Sequence, residues 1–403
     1  MSLHRNARCR ALPGTAVVAL CVLSTAAAAQ VPSRPDSAAA RPTPPRRQPT
    51  PNDSLISPEV AADGRVTFRL YAPKATEVAV TGEVTPGFGQ PLVMSRDARG
   101  VWSASSSALP AGAYRYSFTV DGVTTLDPKN LATSASQTSL ASLVVVSPSG
   151  DDFQADRADV PHGAIAKVLY RSPSLGERRM HIYTPPRYNE GSNLPVLYLI
   201  HGGGDSDESW STVGRAGFIL DNLIAAGKAR PMVVVMPAGG VGRSSAPMTS
   251  DASRDPFTRD LLEVIIPYVE ANYRVSKRPE DRALAGLSMG GIQTLNIGLT
   301  SLDRFRWLGV FSSGWFPPDL QAFEERHGRA LESTKTPPKL FWMAHGATDI
   351  AKPQSEKVIA MLGRHGIRVV SKETPGGHTW SNWRDYLRDF APLLFRDGDG
   401  ARP

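Results

Sequence analysis

The chain has 403 residues, 41% hydrophobic and 21% charged, a balance that suits globular domains and excludes a disordered or fibrous chain. Its formal net charge of +7 sits mostly at the N-terminal end. Residues 1–29 carry Arg5, Arg8 and Arg10 without an acid, residues 30–54 carry four arginines against Asp36 and Asp53, and the +2 left for residues 55–403 gives no support for a nucleic-acid partner.

The first element predicted is a leader. Arg5, Arg8 and Arg10 precede an apolar stretch, Ala11 to Ala26, and Ala27-Ala28-Ala29 gives an A-x-A cleavage pattern before Gln30. This order is that of a secretory signal peptide over residues 1–29, with secreted or periplasmic delivery in a bacterium as its consequence. The apolar run falls short of the roughly 20 residues of a membrane-spanning helix, so no stable membrane span is expected. Cys21 suits a lipoprotein signal less well, because Val18-Ala19-Leu20 lacks the leucine that opens such a motif. Both cysteines, Cys9 and Cys21, fall in this segment, which leaves the mature chain without disulfides, thiolate metal ligands or a cysteine nucleophile. Residues 30–54, with Pro32, Pro35, Pro42, Pro44, Pro45, Pro49 and Pro51, read as an extended linker.

Residues 55–150 predict a small all-β sandwich. Val66–Tyr71, Val78–Val80, Tyr114–Val120 and Leu143–Val146 alternate or run as strands, and Ala72-Pro73, Gly82, Pro110-Ala111-Gly112 and Asp121-Gly122 separate them. Asp121-Gly122 between two short apolar segments is a hairpin signal. Phe68-Arg69-Leu70-Tyr71-Ala72-Pro73, Gly100-Val101-Trp102, Tyr114-Arg115-Tyr116, Val120-Asp121-Gly122 and Asp127-Pro128 together resemble the early-set immunoglobulin-like module that precedes glycogen-branching enzymes and some polysaccharide esterases. The resemblance implies glycan contact or simple packing on the enzyme. No exposed aromatic pair is evident as a sugar platform, and Trp102 reads as core.

Residues 165–396 predict an α/β domain with a doubly wound, mostly parallel sheet. Leu194–Ile200, Met232–Met236, Arg282–Leu287, Leu308–Phe311 and Leu340–Ala344 are continuous apolar runs, as a sheet covered on both faces requires, with a further strand at Ile367–Val370. A helix is predicted over 255–273, with Phe257, Leu261, Leu262, Ile265 and Val269 at helical spacing and a kink at Pro267.

One pentapeptide in that domain carries chemistry. Gly286-Leu287-Ser288-Met289-Gly290 matches G-x-S-x-G between a predicted strand and a predicted helix, the setting of a strained turn that presents a serine above the C-terminal edge of the sheet in the α/β-hydrolase fold. An inert serine in a glycine-rich turn is the bland alternative. A serine hydroxyl is a poor nucleophile at neutral pH and needs a base oriented by an acid, in the chain order Ser, acid, His for this fold. Asp349 follows the strand at 340–344 and His378 follows the next strand, both at the sheet edge expected for Ser288. Ser288 is therefore the expected nucleophile, His378 the base and Asp349 the acid, with Asp319 the alternative acid. A helix N-cap is the other common use of an aspartate at such a position. His365 reads as solvated at a helix end, His327 as part of a polar helix, His181 as a strand residue and His201 as structural, while His345 would need another acid. The oxyanion hole needs two backbone N–H groups. Met289, directly after the serine, supplies one, and Gly203 in His201-Gly202-Gly203-Gly204 the other, with Gly202 and Gly204 as alternatives.

With Tyr198–Gly204, Asp260-Leu261-Leu262, Ile266–Glu270, Gly286–Gly291, Asp349, Gly377–Trp380 and Trp383, residues 165–396 resemble the carbohydrate esterase family that contains feruloyl and acetyl-xylan esterases, within the wider esterase-D group. The resemblance implies a serine carboxylesterase that hydrolyses feruloyl or acetyl esters of plant polysaccharide through an acyl-enzyme. Relatives in the wider group cleave siderophore esters or transfer mycolyl groups, so siderophore-ester hydrolysis and acyl transfer are alternatives. A glycan-binding protein with an inactive esterase domain is the non-enzyme alternative. The expected partners are a small or polysaccharide-linked ester and a glycan at the N-terminal module. Trp210, Trp315, Phe316 and Trp380 lie in or near loops at the catalytic edge and are candidates to hold an aromatic acyl group, with burial in the core as the alternative for each. The histidines lack ligand spacing and no G-x-x-x-x-G-K-S/T loop occurs, so no metal or other cofactor is expected.

Overall fold

Apolar alternation decides the N-terminal domain of this computed structural model, which describes residues 47–85, 90–147, 152–240 and 249–396. The predicted leader and most of the predicted linker lie outside the described residues. Val66–Tyr71 buries Val66, Phe68 and Leu70 and leaves the residues between them half-buried, as a period of two requires. It pairs with Val101–Ser105 and Glu59–Val60, and Ser95–Arg96 completes a four-stranded antiparallel sheet. The second sheet runs Leu92–Val93, Val78–Gly82, Gly112–Val120, Leu140–Val146, Thr133–Ala135, with Val123–Thr125 folded back on Gly112–Val120. That fold-back is the expected hairpin: Asp121 and Gly122 have φ of 46° and 81°, the left-handed pair that a two-residue turn needs.

Phe68, Trp102, Tyr114, Tyr116, Phe118 and Val144 fill the sandwich. Trp102 donates its indole N–H to the Ala72 carbonyl at 2.9 Å and is a core residue, as read. The Asp127 carboxylate is buried and accepts from the Ser57 and Tyr116 hydroxyls at 2.7 and 2.8 Å, tying the two sheets together. The chain docks on this sandwich before residue 55, through a short 3-10 turn at Pro51–Asp53 whose Asn52 carbonyl accepts from Lys129.

The eight strands of the next sheet are β1 (Ala164–Ser172), β2 (Gly176–Thr184), β3 (Val196–Ile200), β4 (Val233–Pro237), β5 (Arg282–Leu287), β6 (Trp307–Phe311), β7 (Leu340–Gly346) and β8 (Val370–Thr374). Their order is β1-β2-β4-β3-β5-β6-β7-β8. β1 and β2 are antiparallel to their neighbours, and β3 to β8 are parallel. Strands β3 to β7 are buried along their whole length. Alternate residues serve opposite faces. Val196, Tyr198 and Ile200 pack under helices that supply Phe257, Ile292 and Met361, whereas Leu197 and Leu199 pack under helices that supply Ile219, Tyr386 and Phe390. At roughly 1.5–3 kcal/mol for each large apolar side chain fully buried, two such faces hold the domain without a disulfide.

Two sequence expectations shift. The helix over 255–273 is broken into Pro256–Arg259, a π-helical Asp260–Ile265 and Ile266–Asn272. Pro267 has no N–H and its ring crowds the preceding turn, so the chain widens there and absorbs in a π-turn what was expected as a kink. Strand β8 starts at Val370 rather than Ile367, because Gly366 at φ 74° ends the preceding helix and the Ile367 amide turns back to the Leu362 carbonyl at 2.9 Å. No helix among the described residues is long and apolar enough to cross a membrane.

The strand Gly112–Val120 is buried on both sides. Tyr114, Tyr116 and Phe118 enter the sandwich, while Ala113 joins the core of the α/β domain together with Leu143 of the neighbouring strand. The described residues from 49 onwards form one compact unit. Arg384, fully buried, seals the junction by donating to the Ala113 and Val213 carbonyls at 3.1 and 3.0 Å.

Candidate active site

The end of β5 and the start of helix Met289–Thr300 meet at Ser288, whose φ of 51° and ψ of −116° are costly for any residue with a β-carbon. The surroundings enforce them. A β-carbon at Gly286 would lie 2.3 Å from the Gly290 carbonyl oxygen, and one at Gly290 would lie 2.7 Å from the Ile200 carbonyl oxygen, so both glycines are sterically obligatory. The Ser288 amide donates to the Phe311 carbonyl at 2.9 Å, and its carbonyl accepts from the Ser313 hydroxyl at 2.6 Å. Between the buried Leu287 and Met289, Ser288 is half-buried.

The loops after β7 and β8 bring up the partners. They are bonded to each other, with the Thr348 amide and hydroxyl both donating to the Gly376 carbonyl at 2.9 Å. His378 Nε2 lies 3.0 Å from Ser288 Oγ and His378 Nδ1 lies 2.9 Å from Asp349 Oδ1. In the matching tautomer, Ser288 donates to Nε2 and Nδ1–H donates to Asp349. Burial works against the Asp349 carboxylate, but the His378 ring N–H, the Ser312 hydroxyl and the Ala351 amide outweigh it and hold the carboxyl below its ordinary range. Asp349 Oδ1 also accepts the Ala351 amide at 2.8 Å, but the N-cap of the following helix is Ala351 and not Asp349.

Asp319, the alternative acid, accepts instead from the Ser250 amide at 3.2 Å, in the first turn of helix Pro317–Glu332. His365 is not solvated: its two ring nitrogens lie 2.9 Å from Glu332 and Glu324. His201 is buried, faces the Gly202 carbonyl with Nδ1 at 2.8 Å and accepts the Gly239 amide at Nε2 at 3.0 Å, and burial pushes it below its ordinary value. It is a neutral brace for the glycine turn.

That turn faces the serine. A β-carbon at Gly202 would lie 3.4 Å from Ser288 Cβ, and one at Gly203 would lie 3.9 Å from Met289 Cβ. Met289 is the first residue of its helix, so its amide is among the donors without an intrahelical acceptor. The Met289 and Gly203 amides thus belong to adjoining segments beside Ser288.

The tryptophans need correction. Trp210, Trp315 and Trp380 are 1%, 0% and 5% exposed. Trp210 donates to the Ile200 carbonyl at 3.2 Å and packs edge-on against Trp380 at 5.1 Å, and Trp315 stacks on Phe323 and donates to Asn296. They support the walls from within and present no face to an acyl group. Phe316, 45% exposed, is the one aromatic of the four that faces outward.

Three contributors escape a sequence reading. Ser312, at φ 51°, accepts the Trp383 indole N–H at 2.9 Å beside Asp349. Asn382 donates to the Pro375 carbonyl at 2.7 Å and accepts the Gly377 amide at 3.2 Å, clamping the loop that carries His378. The T-x-x-N spacing from Thr379, the cap of helix Trp380–Phe390, is the only local hint of it. The third, Arg115, belongs to the other domain. Among the described residues His345, Glu356 and Glu373 also converge, but Lys352 already pairs with Glu373 at 2.9 Å and lies 3.9 Å from Glu356, so a cation of the chain's own occupies the cluster.

This architecture has known counterparts. Residues 172–393, more than half of the chain, match the Esterase family model, described as "Putative esterase". The chain belongs to this esterase family. Residues 56–135 of this esterase match the carbohydrate-binding module 48 model, the isoamylase N-terminal domain, in keeping with the early-set resemblance of the sandwich. An endo-1,4-beta-xylanase/feruloyl esterase of Xylanibacter ruminicola is 30% identical over 348 residues, 84% of this chain and 46% of that protein, so the esterase spans about half the length of that relative. A ferulic acid esterase of the anaerobic fungus Anaeromyces mucronatus shares the fold at a TM-score of 0.54 and 23% identity, over 61% of this chain and 96% of its own. The enterobactin esterase of Shigella flexneri shares it at 0.60 and 19%, over 81% of this chain and 92% of its own. The α/β-hydrolase fold with an all-β N-terminal domain is thereby established.

Proposed function

We propose that this chain is an exported serine carboxylesterase that cleaves feruloyl or acetyl esters of plant polysaccharide through an acyl-enzyme. The observation that carries the reading is the chain of contacts from Ser288 Oγ to His378 Nε2 at 3.0 Å and from His378 Nδ1 to Asp349 Oδ1 at 2.9 Å. Ser288 attacks the ester carbonyl and His378 takes its proton at Nε2. The carbonyl oxygen becomes an anion held by the Met289 and Gly203 amides. As the tetrahedral centre collapses, His378 returns the proton to the departing alcohol, and the acyl group stays on Ser288. Water then attacks that ester with His378 again as base, the bond from the acyl carbon to Ser288 Oγ breaks as His378 returns the proton to Oγ, and the acid leaves. Asp349 keeps Nδ1 protonated throughout and stabilises the imidazolium.

The substrate class rests on the relatives. The 30% identity to a xylanase/feruloyl esterase and the carbohydrate-binding module match point to polysaccharide-linked esters, and the leader-like residues 1–29 point to export. Among the described residues of the module Phe68, Phe118 and Trp102 are buried, and Tyr71 is half-buried. Siderophore-ester hydrolysis is the second reading, favoured by a structural likeness to the enterobactin esterase over 81% of the chain.

A substrate panel tests both readings. Methyl ferulate and acetylated xylan are expected to be hydrolysed with kcat/KM at least about tenfold above that for a catecholate siderophore ester, given how strongly a fitted pocket discriminates acyl groups. The reverse order would overturn the polysaccharide-ester reading while leaving serine ester hydrolysis intact.

A further inference from the structure

The N-terminal module meets the esterase domain at the turn that carries Gly203, where Arg115 adds a charged contact to the bonds made by Ser134, Ala135 and Gln137. Arg115 lies on Gly112–Val120 two residues beyond Ala113, hence on the face turned towards the esterase core. Its Nη1 donates to Asp205 Oδ1 at 2.8 Å, and its Nε and Nη2 reach Glu83 Oε1 at 3.0 and 2.9 Å. The Arg115 and Asp205 side chains are 16% and 9% exposed, so solvent screens the pair little. The Arg115 guanidinium carbon also sits 5.9 Å from the centroid of the Trp380 ring.

Each contact leads to a part of the candidate active site. Asp205 closes the glycine turn: its amide donates to the Gly202 carbonyl at 3.3 Å and its Oδ1 accepts from Ser209 at 3.3 Å. The Gly204 carbonyl in the same turn accepts the amide of Gln137, again from the module, at 2.8 Å. Trp380 opens the helix two residues after His378.

We propose that Arg115, a residue of the N-terminal module, is a positioning residue for ester hydrolysis, which it serves by holding the Gly202–Asp205 turn and the Trp380 end of the His378 segment in register. The proposal rests on the reading of Ser288 as nucleophile and Gly203 as an oxyanion donor. Its physical content is twofold. A turn anchored by a charge-assisted bond keeps the Gly203 amide where the oxyanion forms. The guanidinium, shared with Glu83, also offsets part of the Asp205 charge, which would otherwise oppose a second negative charge developing a few residues away. The module then contributes to chemistry on every ester, including esters that carry no sugar.

The test is kcat and KM of the full chain on methyl ferulate, a substrate on which glycan binding has no part. Arg115→Ala is expected to lower kcat by about 10- to 100-fold, short of the loss of a whole oxyanion donor, with KM within about threefold. Arg115→Lys restores part of it, since the charge returns without the fork that spans Glu83 and Asp205. Adding Asp205→Asn to Arg115→Ala also restores part, because it removes the stranded carboxylate, a recovery that a purely structural contact would not give. A folded Arg115→Ala variant with kcat within twofold of the parent, or no recovery in the double variant, overturns the proposal. If Arg115→Ala does not fold, Asp205→Asn alone carries the test: a fall in kcat at unchanged KM supports the proposal and an unchanged kcat overturns it. A parent chain inactive on every ester would instead overturn the esterase reading itself.

Discussion

Ser288→Ala is expected to lower kcat on p-nitrophenyl acetate by about 10⁵- to 10⁶-fold, the scale on which removal of a triad nucleophile acts. The argument is one of position. Ser288 Oγ is the group that His378 Nε2 faces at 3.0 Å, on a turn whose backbone is forced into φ 51° by two glycines without room for a side chain. No second hydroxyl among the hydrogen bonds of the described residues meets that nitrogen. The fold is expected to survive, because Ser288 is bonded into the turn through its main chain, to Phe311 and Ser313. Melting temperature therefore stays close to that of the parent, within about 0.5 kcal/mol of stability. Parent-like activity in this variant would remove the nucleophile assignment. A collapse of the melting temperature would show instead that the hydroxyl has a structural role.

Asp349→Asn is expected to lower kcat by about 10⁴-fold with little change in KM. The side chain keeps its shape, and its oxygen stays at the position that accepts both the Ala351 amide at 2.8 Å and His378 Nδ1–H at 2.9 Å, but the negative charge is gone. Without that charge the imidazolium that forms as His378 takes the Ser288 proton is no longer stabilised, and the proton transfer is disfavoured. The same substitution has a pH signature. The Asp349 carboxyl is held below its ordinary value of 3.8. Its folded-state value lies below the unfolded one, so its contribution to stability is complete above the unfolded value and is lost as pH falls through the folded one. The parent should therefore lose melting temperature more steeply than Asp349→Asn below about pH 4. Parallel curves would contradict the assignment of the shift to this residue.

Much of this site is legible in the sequence because each member ends a strand of a parallel sheet. The apolar runs ending at Ile200, Leu287 and Ala344 put Gly203, Ser288 and Asp349 at one edge, and two glycines flanking a serine have few other reasons to be there. What escapes is whatever depends on which way a side chain points or on distant partners. Trp210, Trp315 and Trp380 have the local setting of cleft residues, yet rings of that size bury most of their area by turning inward, and the Trp210 and Trp315 indole donors found acceptors there. His365 looks solvated until the folded chain brings Glu324 to it from 41 residues away. The Arg115–Asp205 pair spans 90 residues and two domains, with no periodicity or motif to announce it. The π-turn before Pro267 shows the same limit within one helix: a proline foretells a disturbance but not the form it takes.

The covalent step at Ser288 is the centre of the account, and covalent labelling tests it most directly. The folded chain, treated with a fluorophosphonate and digested, should carry one adduct, on the peptide containing Gly286-Leu287-Ser288-Met289-Gly290, with ester hydrolysis lost in proportion to labelling. An adduct on another residue, or full hydrolytic activity in unlabelled protein after prolonged exposure, would contradict it.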